Sequence, residues 1–114
     1  MGTYRSVVSF GAAFEEFIDG LPQRVQRKVL QVLRIIEEIE LIPASYMKHL
    51  SGTKGLYEIR IQMSGDAFRI FCFFDEKKLV VLLGGFQKKS TKTPRREIQK
   101  ALKGKHHCAY CDHS

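Results

Sequence analysis

The sequence predicts a single domain of the α+β class, in which helices precede a meander of antiparallel strands and a short helix follows it. Three observations lead to this prediction. Apolar residues between Val25 and Ile39 recur at spacings of three and four, the pattern of an amphipathic helix packed on a sheet. Residues 57–63 alternate between apolar and polar side chains, as a half-buried strand does. Two further apolar runs follow, each after a short polar turn.

The N-terminal half predicts one strand and two helices. Residues 4–10 are rich in β-branched and aromatic side chains and predict the first strand. Residues 12–19 place three apolar side chains on one side of a short helix that a glycine ends. Pro22 suits the first turn of the second helix, which we expect to run to about Glu40, before Pro43.

The C-terminal half predicts three strands and a last helix. A loop at residues 44–53 leads into a strand at 56–63, and polar turns separate this strand from those at 67–74 and 79–86. Short turns join antiparallel neighbours, so these strands form a meander, and the N-terminal strand is free to join one of its edges. Residues 94–103 predict the final helix.

Composition limits the kind of protein. Apolar side chains make up 44% of the 114 residues and charged ones 27%, as in an ordinary globular domain. No apolar run approaches the ~20 residues that span a bilayer, so we expect no membrane association. The N-terminus lacks a basic segment followed by a long apolar stretch, so no signal peptide is predicted and we expect a cytoplasmic protein.

The three cysteines do not suggest a disulfide framework. Cys72 lies in an apolar run and is expected to be a small buried hydrophobe. Cys108 and Cys111 form a C-x-x-C among histidines, in a tail that we assign to residues 105–114, after a domain of residues 1–104. A structural zinc site needs a second ligand pair across a loop, which the tail lacks, so we predict neither a metal nor another cofactor.

Excess positive charge is concentrated in one segment. Residues 86–105 contain eight Lys or Arg and one acid, Glu97, so their formal charge of +7 equals that of the whole chain. The rest of the domain is therefore neutral overall. A neutral body with one strongly basic segment predicts a polyanionic partner, and nucleic acid is the polyanion that we favour.

Two arginines are predicted to face each other across neighbouring strands. A two-residue turn at residues 64–65 places Arg60 directly opposite Arg69, and like charges at such positions are unfavourable unless an anion lies between them. Because a lysine pair at residues 88–89 ends the adjacent strand, we expect four cations to converge on one face of the sheet and bind an anion. Two other interpretations stay open: Glu58 neutralises one arginine, or a one-residue shift of register separates the two.

Such a site suits the cleavage of RNA without a metal ion. When a 2′-hydroxyl attacks the neighbouring phosphate, charge gathers in the transition state, and arginine side chains stabilise it through paired hydrogen bonds. A lysine crowded by other cations has a lowered pKa and can act as the base. The candidates for proton transfer are Lys54, Glu58, Lys88 and Lys89.

An aromatic side chain, Phe86 or Tyr57, is expected to stack on a displaced base. Each functional assignment has a structural alternative. A residue such as Phe86 is more often part of the core than a stacking platform, and a lysine pair after a strand is more often a solvated edge that discourages pairing with other sheets.

Three sequence patterns resemble a known family of bacterial toxins. They are L-x-G-x-x-G-L-x-E-x-R at residues 50–60, F-R-I-F at 68–71, and G-F-Q-K-K followed by T-P and E-I across 85–98. In this order they resemble the HigB-like, phage-derived branch of the RelE/ParE toxin superfamily over roughly residues 7–103. The resemblance implies two N-terminal helices packed on a small twisted antiparallel sheet, with a short C-terminal helix.

The resemblance also implies a function. It implies the toxin of a type II toxin–antitoxin system, held inactive by a cognate antitoxin, that acts as an endoribonuclease and cuts mRNA on the ribosome. Arg60 and Arg69 match the family's strand arginines, and Lys88 and Lys89 match its basic pair after the last strand. Glu58 joins these four as a catalytic candidate. The further residues expected to bind RNA are Lys54, Tyr57, Phe86, Lys92, Arg95 and Arg96.

The tail beyond Lys103 departs from the family pattern. Several members of the superfamily use a histidine or tyrosine near the C-terminus for proton transfer. Because Tyr110 and His113 do not map onto those positions, we assign neither of them a role.

Two other functions are compatible with a basic surface. One is a ParE-like toxin that blocks DNA gyrase without catalysis, and the other is an inactive module that binds RNA or the ribosome. The arginine pair with the two lysines favours the nuclease, since blocking gyrase needs no group that stabilises a phosphate transition state.

Overall fold

A single mixed sheet carries three helices in the structure, a computed structural model that describes residues 3–76 and 78–107. In chain order the elements are β1 (Ser6–Ser9), α1 (Ala13–Asp19), α2 (Gln23–Glu38), β2 (Met47–His49), β3 (Tyr57–Met63), β4 (Asp66–Asp75), β5 (Leu79–Lys88) and α3 (Arg95–His107). The strands lie in the order β1-β5-β4-β3-β2. β1 is parallel to β5, and the other neighbours are antiparallel.

Helices cover both faces of this sheet. α1 and α2 pack on one face, where Val29 and Ile36 are fully buried against the strands. α3 packs on the other, which we call the α3 face, where Ala101 is buried in a cluster with Phe71 and Leu83. Because successive strand residues point to opposite faces, the central strand β4 is apolar on both sides for much of its length.

The β3–β4 hairpin has the register that the sequence predicts. Ser64 and Gly65 form a two-residue turn with positive φ at both positions, 51° and 85°, as a type I′ hairpin turn requires. Arg60 consequently pairs with Arg69, so the prediction that the two arginines face each other is confirmed.

A β-bulge in β5 decides which face its last residues occupy. The pairing of β5 with β4 shifts between Phe71 and Cys72, which leaves Leu83 with no residue opposite it. An extra residue reverses the alternation of side chains beyond it. Lys88 therefore shares a face with Arg69, whereas strict alternation along β5 places it on the opposite side of the sheet.

The predicted fold class was wrong in its sheet and in the length of its C-terminal helix. The sheet is neither small nor wholly antiparallel, because five strands join it and β1 pairs with β5 in parallel. The two N-terminal helices pack on one face of this larger sheet, and α3 occupies the second face. α3 is also not short: it has 13 residues and continues past the expected domain boundary at residue 104.

The individual elements were predicted better than their arrangement. Each predicted strand and helix is present within a few residues of its expected ends. β2 was missed, because three residues are too few to show an alternation, and it occupies part of the predicted loop at 44–53. Cys108 and Cys111 lie outside the described residues. None of the three described helices is long and apolar enough to cross a membrane.

Candidate functional site

Charged side chains gather on the α3 face where β4 begins and β5 ends. Arg60 of β3 lies opposite Arg69 of β4, and the bulge places Lys88 of β5 diagonally beside Arg69 on the same face. Lys48 of β2 lies opposite Glu58 of β3, which also shares this face. We call these five residues the cationic cluster.

Glu58 and Arg69 form the buried centre of the cluster. Their side chains are 6% and 7% exposed, and Glu58 Oε1 lies 3.6 Å from Arg69 Nε. The hydroxyl of Thr93 donates to Glu58 Oε2 at 2.9 Å, and Arg69 Nη1 donates to the carbonyl of Phe68 at 3.1 Å. Arg69 Nε is buried and has no hydrogen-bond partner among the described residues. A buried donor is normally satisfied, and this one faces only the more distant carboxylate oxygen of Glu58.

An open groove of about 620 Å³ borders the cluster. Arg69, Lys88 and one acid, Asp66, line its sheet side, and Lys89, Ser90 and Thr91 of the loop after β5 form its wall. The three loop residues are exposed. An open groove with cations along one side suits an extended anionic chain, such as a single strand of nucleic acid, better than a small enclosed ligand.

Burial and neighbouring charges lower the pKa of two members of the cluster. Burial lowers the pKa of the Arg69 guanidinium, Glu58 opposes this shift, and Arg60 adds to it. Burial also lowers the pKa of the Lys88 ammonium, and Arg69 lowers it further. Glu58 acts in the opposite direction on Lys88, and Arg60 and Lys48 again lower its pKa. Lys88 is therefore a lysine that loses its proton more readily than an ordinary one.

Comparison with protein-family models matches residues 16–105 to the family described as "Phage derived protein Gp49-like (DUF891)". The match spans most of the chain and includes the whole cationic cluster. The chain belongs to the Gp49-like family. This is a RelE-like family associated with toxin–antitoxin systems, and a toxin-like family suggests an antitoxin as its partner. Among curated proteins, none matches the chain.

Membership of the Gp49-like family supports the resemblance to RelE-like toxins in general, but not the narrower assignment that the sequence patterns implied. It supports a phage-derived, toxin-like protein. The HigB branch and the cleavage of mRNA go beyond it.

Four predicted catalytic residues come together, and the fifth lies at their margin. Arg60, Arg69, Lys88 and Glu58 share the α3 face. Lys89 follows the last residue of β5 and is exposed in the groove wall.

The two aromatic residues expected to stack on bases are both engaged within the protein. Phe86 lies on the α3 face, but its ring stacks on Phe71 with 5.6 Å between centroids and packs against the second core. Tyr57 lies on the opposite face, where its ring meets those of His49 and Phe74 edge-on. Phe86 is half-buried and lies directly opposite Arg69, so of the two only Tyr57 lies away from the cationic cluster.

The remaining predicted RNA-binding residues are exposed around the groove and α3. Lys92 lies in the loop after β5, and Arg95 and Arg96 begin α3. Lys54 lies in the loop before β3, and its backbone carbonyl accepts a hydrogen bond from Lys105 of α3.

Sequence reasoning missed Lys48 and Thr93. Lys48 was assigned to a loop, and its position opposite Glu58 follows only from β2. Thr93 contacts a residue 35 positions away, and no local pattern predicts such a contact. In the described parts of the chain, no group of three or more His, Cys, Asp or Glu is placed to hold a metal ion.

Removing one cation is expected to raise the pKa of Lys88. We choose Arg60→Gln, because it lowers the positive charge near Lys88 and leaves the Glu58–Arg69 pair intact. NMR titration of the Lys88 side chain measures the change, and Arg24→Gln on the exposed side of α2 is the matched control, expected to have no effect. An unchanged titration in Arg60→Gln would mean that Arg60 does not act on Lys88.

The sign of the accompanying stability change follows from linkage. The pKa of Lys88 is lower in the folded than in the unfolded chain, so the unfolded chain binds more protons at pH values between the two. The free energy of unfolding therefore rises with pH between the folded pKa of Lys88 and its ordinary value of about 10.4. Arg60→Gln should make this rise smaller.

Proposed function

We propose that this chain is the toxin of a toxin–antitoxin pair and that it cleaves mRNA on the ribosome. The observation that supports this most is the convergence of Arg60, Arg69 and Lys88 on one sheet face beside an open groove. Membership of a RelE-like family supports the toxin role independently.

The proposed reaction is the attack of a 2′-hydroxyl on the adjacent phosphate without a metal ion. The 2′-oxygen forms a bond to phosphorus, the bond from phosphorus to the 5′-oxygen breaks, and the products are a 2′,3′-cyclic phosphate and a 5′-hydroxyl. Arg60 and Arg69 stabilise the charge on the non-bridging oxygens, which is greatest in the transition state. Neutral Lys88 takes the proton of the 2′-hydroxyl, consistent with its lowered pKa. Lys89 is the candidate that gives a proton to the leaving 5′-oxygen.

The surface around the groove suits a large polyanion. Lys92, Arg95 and Arg96 are exposed in the loop and the first turn of α3 that follow the groove wall. Basic residues of this kind neutralise phosphates without reading sequence and make binding salt-dependent. They are the residues that we propose to contact the ribosome or the mRNA strand outside the reacting nucleotides.

The test is expression in a bacterium that lacks the antitoxin, followed by sequencing of mRNA 5′ ends. Wild type is expected to arrest growth and to produce new cuts in frame with translation. Lys88→Ala/Lys89→Ala should remove both effects, because it deletes the proposed base and the groove wall lysine. Arg24→Ala/Arg27→Ala removes the same charge from the exposed side of α2 and should cut like wild type.

Each other outcome contradicts part of the proposal. Growth arrest without new cuts, together with loss of DNA supercoiling, would replace the nuclease by a gyrase inhibitor. Cuts that appear with purified RNA and no ribosomes would remove the ribosome requirement. Equal cutting by the two double variants would place the reaction away from the cationic cluster.

A further inference from the structure

The hydroxyl of Thr93 has a partner that is distant in the sequence. Thr93 and Pro94 lead directly into α3, and Pro94 accepts the first backbone hydrogen bonds of the helix, from Glu97 and Ile98. Pro94 is thus the cap residue of α3, and Thr93 stands one position before it. The Thr93 hydroxyl donates to the buried carboxylate of Glu58 in β3.

This hydrogen bond acts on Arg69 through Glu58. One oxygen of Glu58 accepts from Thr93 at 2.9 Å, and the other faces Arg69 Nε at 3.6 Å. Fixing the first oxygen fixes the rotamer of the carboxylate and so the position of its charge beside the guanidinium. A buried carboxylate with one fewer donor turns toward the donors that remain. Without the Thr93 hydroxyl, Glu58 is therefore expected to close on Arg69 Nε.

The same bond also closes the loop that forms the groove wall. The loop at residues 89–92 is attached to the sheet through Lys88 at one end and through Thr93 at the other. Within it, the hydroxyl of Ser90 donates to the carbonyl of Lys92. Fixing both ends of a short loop restricts the positions of its side chains, and Lys89 is among them.

We propose that Thr93 is a positioning residue: its hydroxyl fixes Glu58, and through Glu58 the guanidinium of Arg69, in the position from which its other donors reach a phosphate in the groove, and it sets the groove wall. The part of this proposal that concerns catalysis rests on the proposed nuclease function. The part that concerns Arg69 does not, and it has a direct spectroscopic signature in the Nε–H group.

Two substitutions separate the hydroxyl from the rest of the side chain. Thr93→Val keeps the shape and removes the donor, and Thr93→Ser keeps the donor and removes a methyl group. Should the valine variant fail to fold, Thr93→Ala serves the same comparison, because alanine adds no volume. Thr3→Val, at an exposed threonine before β1, is the matched control.

The first readout is the ¹⁵N–¹H NMR signal of Arg69 Nε in the full chain. Thr93→Val should shift this signal, and Thr93→Ser and Thr3→Val should leave it near its wild-type position. The second readout is the cleavage of mRNA. Thr93→Val should lower its rate by about 10-fold, and Thr93→Ser should restore most of the rate.

The outcomes distinguish this proposal from the proposed function. An unshifted Arg69 signal in Thr93→Val overturns the positioning role, whatever the activity. A shifted signal with an unchanged cleavage rate would mean that Thr93 positions Arg69 but has no effect on the reaction. If wild type does not cleave RNA at all, the nuclease proposal fails, and the Arg69 signal still decides whether Thr93 positions that residue.

Discussion

Replacing Arg69 with lysine is expected to lower the rate of RNA cleavage by about 10²-fold while the protein stays folded. Lysine keeps the positive charge beside Glu58, so the buried carboxylate remains compensated. It loses the planar fork that donates two hydrogen bonds to a phosphate, and removing one such donor from a transition state typically costs roughly 10² to 10³ in rate. Single-turnover cleavage of mRNA on purified ribosomes measures the effect.

Alanine at the same position tests stability separately from chemistry. Arg69→Ala leaves Glu58 buried without its counterion, which is expected to lower the free energy of unfolding by about 3 kcal/mol. Glu58→Gln/Arg69→Gln removes both charges and should recover much of that loss, because no buried ion is left unpaired. The double variant should still fail to cleave RNA, since its phosphate-binding fork is absent.

Denaturant unfolding of the three variants beside the cleavage assay separates the two roles of Arg69. Cleavage by the double glutamine variant at the wild-type rate would show that Arg69 supports the fold and takes no part in the reaction. A folded Arg69→Lys protein that cleaves like wild type would show that only the charge matters, and it would exclude the proposed bidentate contact.

The arginine pair was predictable because local rules determine it. A two-residue turn with Ser64 and Gly65 leaves one register for the hairpin, and that register places Arg60 opposite Arg69. The alternation of β3 also predicted that Glu58 and Arg60 share a face. What the sequence did not show is that Glu58 lies buried between Arg69 and Thr93. The interpretation that Glu58 neutralises an arginine and the interpretation of an anion site are thus both compatible with the structure.

The position of Lys88 was predicted correctly for an incomplete reason. The expectation that it joins the arginines assumed that the end of β5 lies near them. The side chain of Lys88 lies on the same face as Arg69 only because of the bulge at Leu83. The alternation of apolar and polar residues before the bulge does not predict this change of face. The pairings of β1 and β2 were harder to predict than the position of Lys88, because each strand joins an edge of the sheet through contacts distant in sequence. These two strands extend the sheet to five strands, and the parallel pairing of β1 with β5 makes it a mixed sheet.

Gly85→Ala is expected to be the most destabilising single methyl substitution among the glycines of the sheet. A Cβ at this position would lie 2.7 Å from the backbone oxygen of Arg69 and 2.8 Å from the ring of Phe17. The ring can rotate, but the oxygen belongs to the paired strand and can move only if β4 separates from β5. We expect the free energy of unfolding to fall by about 3 kcal/mol, measured by denaturant unfolding.

The same clash connects the fold to the site. Since the obstructing oxygen belongs to Arg69, the folded fraction of Gly85→Ala should also cleave RNA more slowly, with Arg69 and Lys88 moved apart. Gly104→Ala in α3 is the matched control: its Cβ would meet Leu83 at an ordinary 3.7 Å. Within a helix, alanine in place of glycine should raise the free energy of unfolding by about 0.5–1 kcal/mol. If the two variants unfold alike, β4 and β5 tolerate a wider separation than their contact at Gly85 indicates, and the geometry of the cluster does not depend on it.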